Sequence, residues 1–318
     1  MNIAIIRLSS LGDIVFSSPV AFWLKTLYPN AKISWYVDFD FKEILEDCPY
    51  IDEIVTINLR GAKKSKSIAK IIEEIANLKN SPKYDYIIDL QGLIKSGLIV
   101  WLLKGNKIGF DFKSAREGIA SFFYHTKIYS NYNLNILTRY EDLIKKSLGN
   151  FNIINNSILG AKSENPKIKD AILINIGASK ANKRYPFYAE VIKSLDREVF
   201  LIWGSNEEFE IAKDIAASTN AFLLPRLNIT DIKCAIKSAA LVIGGDSGIT
   251  HLAWGLRVPS ITLFGATPYK RNCVQTDINI AISANENIDA KKLDYNDFSI
   301  AQIAPQEILI KAKQLLND

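Results

Sequence analysis

Near the start of the chain, the segment IAIIRLSSLGDIVFSSP (residues 3–19) places the carboxylate of Asp13 between a strand pattern and a helix pattern. The strand pattern is the β-branched run of residues 3–6, and from Ile14 onward apolar residues recur at helical spacing. Corners of this kind lie at the carboxyl ends of parallel strands, where such folds bind their ligands. Ser10 and Gly12 share the corner. Asp13 is therefore either the cap of a helix or a chemically active group.

A second candidate site lies in LVIGGDSGITHLAWGLRVPSITLFGATP, residues 241–268. A strand pattern ends in two glycines, and a helix pattern begins at Asp246, Ser247 and Gly248, with His251 one turn later. Small residues at a helix start expose backbone N–H groups, which together with the helix dipole bind phosphate. The simpler interpretation is that Asp246 or Ser247 only caps the helix. A second small-residue loop in the same segment, LFGATP, favours the phosphate interpretation.

A third loop, NIGASKANKRYP (residues 175–186), follows another strand pattern and carries Ser179, Lys180 and Lys183. It lacks the GxxxxGK[ST] of a P-loop, and the first corner lacks the GxGxxG of dinucleotide enzymes. Lys183 is either a solvated surface charge or a partner for a diphosphate. Farther on, Glu207 and Glu208 follow a strand, where a carboxylate could accept a ribose hydroxyl or simply begin a helix.

The composition excludes several classes of protein. Hydrophobic residues make up 48% of the 318 residues and no apolar run is long enough to cross a bilayer, so we expect a soluble cytoplasmic protein without a signal peptide. Three scattered cysteines and two histidines argue against a zinc or redox centre. The net charge of +5 is mild, and its basic cluster RGAKKSKSIAK lacks the interleaved aromatics typical of nucleic-acid binding.

Strand and helix patterns alternate in both halves of the chain, which predicts parallel βαβ units in two doubly wound α/β domains. The alternation lapses over residues 148–169, which are rich in Asn, Ser and Gly. We therefore predict a first domain over residues 1–160, a second over 168–304 and a final helix over 305–318 that could pack on either half. Within the first domain, a single helix is predicted over residues 14–28.

The segments RLSSLGDIVFSSP, NKRYP, LPRLNITD and GGDSGITHLAWGLRVPSITLFGATP together resemble the bacterial heptosyltransferases of lipopolysaccharide core synthesis. The resemblance runs along almost the whole chain. GFDFKSAREGIASFFY (residues 109–124) and the basic segment after Arg60 are similar to the acceptor region of the heptosyltransferase I branch. The resemblance implies a GT-B fold, in which two Rossmann-like domains face a central cleft.

The resemblance also implies a reaction: inverting transfer of L-glycero-D-manno-heptose from ADP-heptose to the acidic sugar Kdo of a Kdo–lipid A acceptor. In such a reaction the acceptor hydroxyl attacks directly, and a base accepts its proton. At the matching position that base is Asp13, while Ser10 and Gly12 border the acceptor. Fixed donors would stabilise the leaving ADP, and neither a cofactor nor a metal is expected. The spelling DFD at residues 38–40 is not assigned to a metal.

Carried over position by position, the resemblance implies two binding sets. The donor set is Ser179, Lys180, Lys183, Glu207, Glu208, Leu227, Asp246, Ser247, Gly248 and His251, with Leu227 against adenine and one of the two glutamates at the ribose. The acceptor set adds five basic residues that would attract an anionic glycolipid, namely Arg60, Lys63, Lys64, Arg116 and Arg139. We also expect a monomer that sits transiently on the inner face of the inner membrane and binds no nucleic acid.

Two alternatives stay open from the sequence. One is a heptosyltransferase II-like enzyme whose acceptor is itself a heptose, because that branch has a similar DSG loop. The other is a non-catalytic protein of the same fold that binds a sugar nucleotide, in which Asp13 would have no chemical role.

Overall fold

The computed structural model describes residues 1–58, 61, 68–151 and 159–317. The chain forms two compact units, Met1–Gly160 and Ala161–Asp318. Each unit is built around a parallel six-stranded sheet. The predicted α/β class, with two doubly wound parallel sheets, is therefore confirmed. Within the described ranges, no helix has both the length and the apolar character needed to cross a membrane.

The sheet of the first unit has the strand order β3-β2-β1-β4-β5-β6. The order reverses between β1 and β4, which both pair in parallel with their neighbours. This reversal creates the switch point beside which doubly wound sheets bind ligands. The strands are β1 Asn2–Ile6, β2 Lys32–Asp38, β3 Glu53–Ile57, β4 Tyr86–Asp89, β5 Asn106–Phe110 and β6 Thr126–Ile128.

Helices cover both faces of this sheet, as the parallel topology requires. The described α-helices of the unit are Leu11–Ser17, Pro19–Leu27, Lys42–Leu45, Ile68–Lys79, Ile94–Leu102 and Ile136–Leu148. Two 3₁₀ helices, Phe39–Phe41 and Gly118–Phe123, lie between them. The single helix predicted over residues 14–28 is wrong: it divides at Ser18, because Pro19 has no N–H to continue the ladder and instead starts a second helix.

The sheet of the second unit has the strand order β12-β11-β10-β7-β8-β9, again with its reversal beside two central strands, β10 and β7. The strands are β7 Ile172–Asn175, β8 Val199–Ile202, β9 Phe222–Leu223, β10 Leu241–Gly245, β11 Ser260–Phe264 and β12 Asn279–Ser283. Their α-helices are Tyr188–Lys193, Asn206–Ser218, Ile229–Ser238, Gly248–Gly255, Tyr269–Asn272 and Pro305–Leu316. Three 3₁₀ helices, Pro166–Ile168, Ala181–Lys183 and Ser299–Gln302, complete the unit.

The last helix, Pro305–Leu316, belongs to the second unit. It packs on the helix Tyr188–Lys193 and on β10 and β11. Ile308 and Ala312 on its inner face are fully buried in the core of that unit. Of the two halves on which this helix could pack, it therefore packs on the second.

Candidate active site

In the first unit, the corner after β1 holds Asp13 by one of its two carboxylate oxygens. Oδ2 lies 2.8 Å from Nη2 of Arg7. The same oxygen accepts hydrogen bonds from the backbone N–H of Ser10 at 3.2 Å and from its hydroxyl at 2.9 Å. Ser10 is the N-cap of the helix Leu11–Ser17, and Asp13 completes a capping box with it. Asp13 therefore does cap the helix, but the capping bonds use only its Oδ2 atom.

The other oxygen, Oδ1 of Asp13, has no hydrogen-bond or ion-pair partner among the described residues. The side chain is 36% exposed, while Arg7 beneath it is buried. Burial raises the pKa of Asp13, but the Arg7 charge and the hydrogen bonds from Ser10 outweigh it, so the pKa lies below its ordinary value. The carboxylate is thus ionised at neutral pH, fixed in orientation and open on one side.

The end of β4 supports this corner from the neighbouring strand. The side-chain oxygen of Gln91 accepts from the Leu8 N–H at 2.9 Å, and its amide donates to Ser9 Oγ at 3.3 Å. Lys95 also donates to Ser9 Oγ, at 2.9 Å. Gln91 and Lys95 were not predicted as part of this corner, because only the pairing of β1 with β4 brings them to it.

Asp89, the last residue of β4, is fully buried in this region. It accepts a 2.7 Å hydrogen bond from the Tyr124 hydroxyl and two more from the N–H groups of Gln91 and Gly92. Burial raises the pKa of Asp89 despite these bonds. The carboxylate therefore shapes the turn after β4 and has no access to a ligand.

Arg116 lies on the exposed loop after β5, as the acceptor assignment requires. Its charge helps to lower the pKa of Asp13, so it is close to the corner. Gly92, with φ of 65°, takes the left-handed backbone conformation that favours glycine, and it lies beside Ala115 and Arg116 of this loop. Glu117 N–H donates to the Gly92 carbonyl at 3.0 Å.

Arg139 does not belong to an exposed basic surface, contrary to the sequence-based expectation. It is only 4% exposed, and its guanidinium lies over the rings of Phe110 and Tyr132. It donates to the Ser114 carbonyl. An arginine used in this way holds the helix Ile136–Leu148 against the loop that carries Arg116. The other basic candidates, Arg60, Lys63 and Lys64, lie outside the described residues.

In the second unit, Asp246 follows β10 and is surrounded by donors. Its Oδ2 lies 2.6 Å from Lys183 Nζ and accepts a 2.7 Å bond from Thr267 Oγ1, while Oδ1 lies 2.9 Å from His251 Nε2. Burial raises the pKa of Asp246, but Lys183 and His251 lower it further, to a value well below the ordinary range. Thr267, in the LFGATP loop, was not singled out by its sequence.

These contacts change the roles expected of two residues. His251 is buried and directs Nε2 to Asp246, so in this structure it positions the loop instead of presenting a free donor. Lys183 is partly exposed and keeps donors beyond its bond to Asp246. Asp246 therefore binds the other side chains of the cluster, and Lys183 is the cation of the cluster that is partly exposed to solvent.

The start of the helix Gly248–Gly255 supplies backbone donors beside this cluster. Ser247 caps the helix by accepting from the Thr250 N–H at 3.3 Å, and Asn175 donates to Ser247 Oγ at 2.7 Å. The N–H groups of Gly248 and Ile249 have no acceptor among the described residues, and both residues are partly exposed. Such a helix start is suited to bind an anion.

The two glutamates after β8 have different environments. Glu208 is buried, accepts from the N–H groups of Gly204 and Ser205, and forms a capping box with Ser205. Glu207 is 69% exposed and pairs with Arg184 at 2.6 Å. Only Glu207 thus offers a carboxylate at the surface.

The remaining donor candidates lie on loops of the same unit. Ser179 and Lys180 are exposed after β7, and the Lys180 ammonium lies 5.2 Å from the Tyr295 ring centroid. Leu227 is half-buried between β9 and the following helix. The loops after β7, β8, β9 and β10 therefore carry the candidate donor residues, and they lie on the same side of the second sheet because parallel strands share their carboxyl ends.

No group of three or more His, Cys, Asp or Glu side chains in the described ranges could hold a metal ion. Asp38 of the DFD sequence caps the 3₁₀ helix Phe39–Phe41 by accepting from the Asp40 N–H. The cysteines Cys48, Cys234 and Cys273 are all buried thiols. Burial raises the pKa of Cys273 to about 12, so that thiol is unreactive at neutral pH.

Comparison with known proteins places these observations in a family. Residues 75–298 match the sequence profile of glycosyltransferase family 9 (heptosyltransferase). Lipopolysaccharide heptosyltransferase 1 of Campylobacter coli is 36% identical over 346 residues, covering 100% of both chains. Its Escherichia coli K12 counterpart is 27% identical over 288 residues, covering 84% of this chain and 88% of that protein.

Solved structures show the same fold. The structure described as Escherichia coli heptosyltransferase WaaC with ADP has a TM-score of 0.84 at 22% identity, covering 99% of this chain and 100% of that one. Escherichia coli ADP-heptose heptosyltransferase II has a TM-score of 0.78 at 19% identity, covering 100% and 99%. The GT-B fold that the resemblance implied is therefore confirmed. From the match over residues 75–298 and the full-length relative, the chain belongs to glycosyltransferase family 9, the heptosyltransferases, and is a transferase.

Proposed function

We propose that this enzyme transfers L-glycero-D-manno-heptose from ADP-heptose to a Kdo residue of Kdo–lipid A, with inversion at the anomeric carbon. Full-length similarity to a protein named lipopolysaccharide heptosyltransferase 1 supports the proposal. The observation that carries it is the Asp13 carboxylate, which is fixed through Oδ2 and open at Oδ1. A helix cap alone would not need the Arg7 ion pair that orients this carboxylate and lowers its pKa.

In the proposed reaction, Oδ1 of Asp13 accepts the proton of the attacking acceptor hydroxyl. The hydroxyl oxygen forms a bond to the anomeric carbon as the bond from that carbon to the ADP oxygen breaks. One direct displacement of this kind inverts the configuration. Arg7 keeps the carboxylate ionised before the reaction and holds it in one orientation.

The second unit would hold the leaving group. Lys183 and the free N–H groups of Gly248 and Ile249 are the candidate donors to the diphosphate, and their fixed positions would stabilise its developing charge. Glu207 is the candidate ribose contact because its carboxylate is exposed. Leu227 is proposed to lie against adenine, with Ser179 and Lys180 at the edge of this donor set. No step in this scheme is assigned to a metal.

The acceptor side is proposed to use Ser10, Gly12 and Arg116 around Asp13, with Lys95 added by the structure. Arg60, Lys63 and Lys64 remain proposed contacts to acceptor phosphates and carboxylates. We further propose a cytoplasmic monomer that works at the inner face of the inner membrane, because a lipid A acceptor is anchored there.

Incubation of the purified enzyme with ADP-heptose and Kdo–lipid A tests the proposal. We expect stoichiometric ADP release, a product heavier by one heptose, and an inverted anomeric configuration by NMR. A parallel reaction with an acceptor that already carries heptose distinguishes the heptosyltransferase II-like alternative. Transfer to that acceptor alone would refute the Kdo assignment, and donor binding without transfer to either would favour the non-catalytic alternative.

A further inference from the structure

One helix of the first unit exposes a row of large apolar side chains. Ile94, Leu98 and Trp101 lie about one turn apart on the helix Ile94–Leu102, so they share a face. All three are exposed, and Trp101 is 61% exposed. This face is not used in the core of the unit, which buries Ile99 and Val100 on the opposite side.

The 3₁₀ helix Gly118–Phe123 extends the same surface. Ile119 and Phe122 lie one 3₁₀ turn apart and are exposed, with Phe122 at 71%. Phe112 is exposed beside them, its ring centroid 6.3 Å from that of Phe122.

The two helices pack closely, because Gly97 has no side chain in the space taken by the Phe123 ring. The rows are therefore continuous. Together they form the apolar patch, defined here as Ile94, Leu98, Trp101, Phe112, Ile119 and Phe122.

Basic side chains border the apolar patch. Residues 93–127 contain six Lys and Arg residues but only two acids, Asp111 and Glu117. Both acids are bonded to the backbone, to the N–H groups of Ser114 and Ile94 respectively. The Lys127 ammonium lies 5.7 Å from the Phe122 ring centroid, so positive charge meets the patch directly.

We infer that the apolar patch docks the protein onto an anionic lipid bilayer. Tryptophan and phenylalanine with a basic border are typical of surfaces that enter the headgroup region, where lysines meet anionic lipids. A second copy of the chain fits less well. A two-fold symmetric contact would set this basic border against itself.

The patch is coupled to the candidate acceptor corner through its helix. Lys95, between Ile94 and Leu98, donates to Ser9 beside Asp13. If the proposed function holds, docking here brings Asp13 to an acceptor that is itself embedded in the bilayer. The docking inference rests on the proposed function only for this consequence, since vesicle binding requires no substrate.

Co-sedimentation with vesicles tests the inference. The wild-type protein is expected to bind vesicles of phosphatidylcholine and phosphatidylglycerol more tightly than phosphatidylcholine alone, and salt should reduce the difference. The variant Leu98→Gln/Trp101→Gln/Phe122→Gln should bind at least about tenfold more weakly. The control Phe222→Gln/Ile310→Gln, which alters exposed apolar residues of the second unit, should bind like wild type.

A charge variant separates the contribution of the lysines to vesicle binding from that of the apolar side chains. Lys104→Gln/Lys113→Gln/Lys127→Gln removes exposed lysines near the patch, and each should cost about fivefold in binding to anionic vesicles but little with neutral ones. Circular dichroism and ADP binding confirm that each variant is folded. Equal vesicle binding by wild type and the triple apolar variant would overturn the inference, as would an absence of wild-type binding.

Trp101 also provides a direct probe. Its fluorescence should shift to the blue when anionic vesicles are added, and the shift should disappear in Trp101→Phe while vesicle binding is retained. Unchanged fluorescence with bound vesicles would place the contact elsewhere and overturn the inference. Analytical ultracentrifugation tests whether a second copy of the chain binds the patch instead. A dimeric wild type together with a monomeric triple apolar variant would assign the patch to self-association and overturn the inference.

Discussion

At the scale of single residues, the two carboxylate oxygens of Asp13 have different surroundings. Oδ2 completes the capping box with Ser10 and pairs with Arg7, which fixes the side chain. Oδ1 has no partner in the part of the chain that the structure describes, and it is the oxygen proposed to accept the proton. Because the structural bonds are confined to one oxygen, the capping and catalytic interpretations of this residue are compatible.

The pKa of Asp13 gives a prediction for Arg7. Burial alone would raise that pKa, and Arg7 is the main group that lowers it. Replacing Arg7 by Met should therefore raise the pKa of Asp13 and move the acidic limb of the kcat/KM profile to higher pH. Arg7→Lys, which keeps the charge, should leave the limb near its wild-type position. Superimposable limbs for wild type and Arg7→Met would contradict the assignment of Asp13 as the group that titrates.

Lys183 gives a second prediction at this scale. Lys183→Ala removes a charged donor proposed to contact the diphosphate, so KM for ADP-heptose should rise by roughly tenfold or more. The KM for the acceptor should change little. Lys213→Ala, at an exposed lysine of the same unit, is the matched control. If wild type, Lys183→Ala and Lys213→Ala had the same donor kinetics, Lys183 would be only a structural partner of Asp246.

Residue types and spacing located much of the candidate site, but not its partners. Asp13, Lys183 and Asp246 stand on loops that the strand-to-helix pattern predicts. Lys95 and Thr267 were missed because their contacts join segments far apart in the chain. Arg139 was misjudged for the same reason, since only packing reveals that Phe110 and Tyr132 cover it.

At the scale of elements, strongly patterned segments were predicted well. The last helix, predicted over residues 305–318, is observed over Pro305–Leu316. The strands β5, β6 and β12 were not predicted, because polar or small residues interrupt their apolar residues. Such segments are stabilised as strands by pairing with a neighbouring strand, and the sequence of the segment itself does not reveal that pairing.

The loop after β10 yields a prediction about acid stability. The pKa of Asp246 is lower in the folded chain than in the unfolded chain, so its ionised form stabilises the fold above about pH 4, its ordinary range. This contribution is lost as pH falls through the folded-state value. Asp246→Asn should lower the free energy of unfolding at neutral pH by on the order of 2 kcal/mol, because Lys183 loses its anion.

Calorimetric unfolding of wild type and Asp246→Asn at a series of pH values measures this contribution. The difference in the free energy of unfolding between the two proteins should shrink as the solution becomes more acidic. A difference that stays constant, or grows, down to the lowest accessible pH would show that Asp246 is not held as an ionised anchor.

At the scale of the whole molecule, the candidate residues are divided between the two units. The first unit carries the candidate base and the second carries the candidate donor loops. The segments that resemble heptosyltransferases predicted this division, whereas composition alone predicted only a globular α/β chain. Neither predicted the apolar patch, since exposure depends on which helix face the core leaves uncovered.

The proposed donor set leads to a prediction about metal removal. Lys183 and the N–H groups of Gly248 and Ile249 are proposed to stabilise the diphosphate. Turnover should therefore change by less than about twofold after dialysis against EDTA. A large loss that Mg²⁺ restores would show that a cation shares this work.

The most direct measurement is transfer of heptose from ADP-heptose to Kdo–lipid A by wild type and Asp13→Asn, with donor affinity measured alongside. Asp52→Asn is the matched control, since Asp52 pairs with Lys25 at 2.8 Å and is 38% exposed. Asp13→Asn is expected to keep its fold and donor affinity but to lose at least tenfold in kcat, and about 100-fold if proton transfer is fully lost. Asp52→Asn should stay near wild type. Equal turnover by wild type and Asp13→Asn would contradict the role of Asp13 as the base.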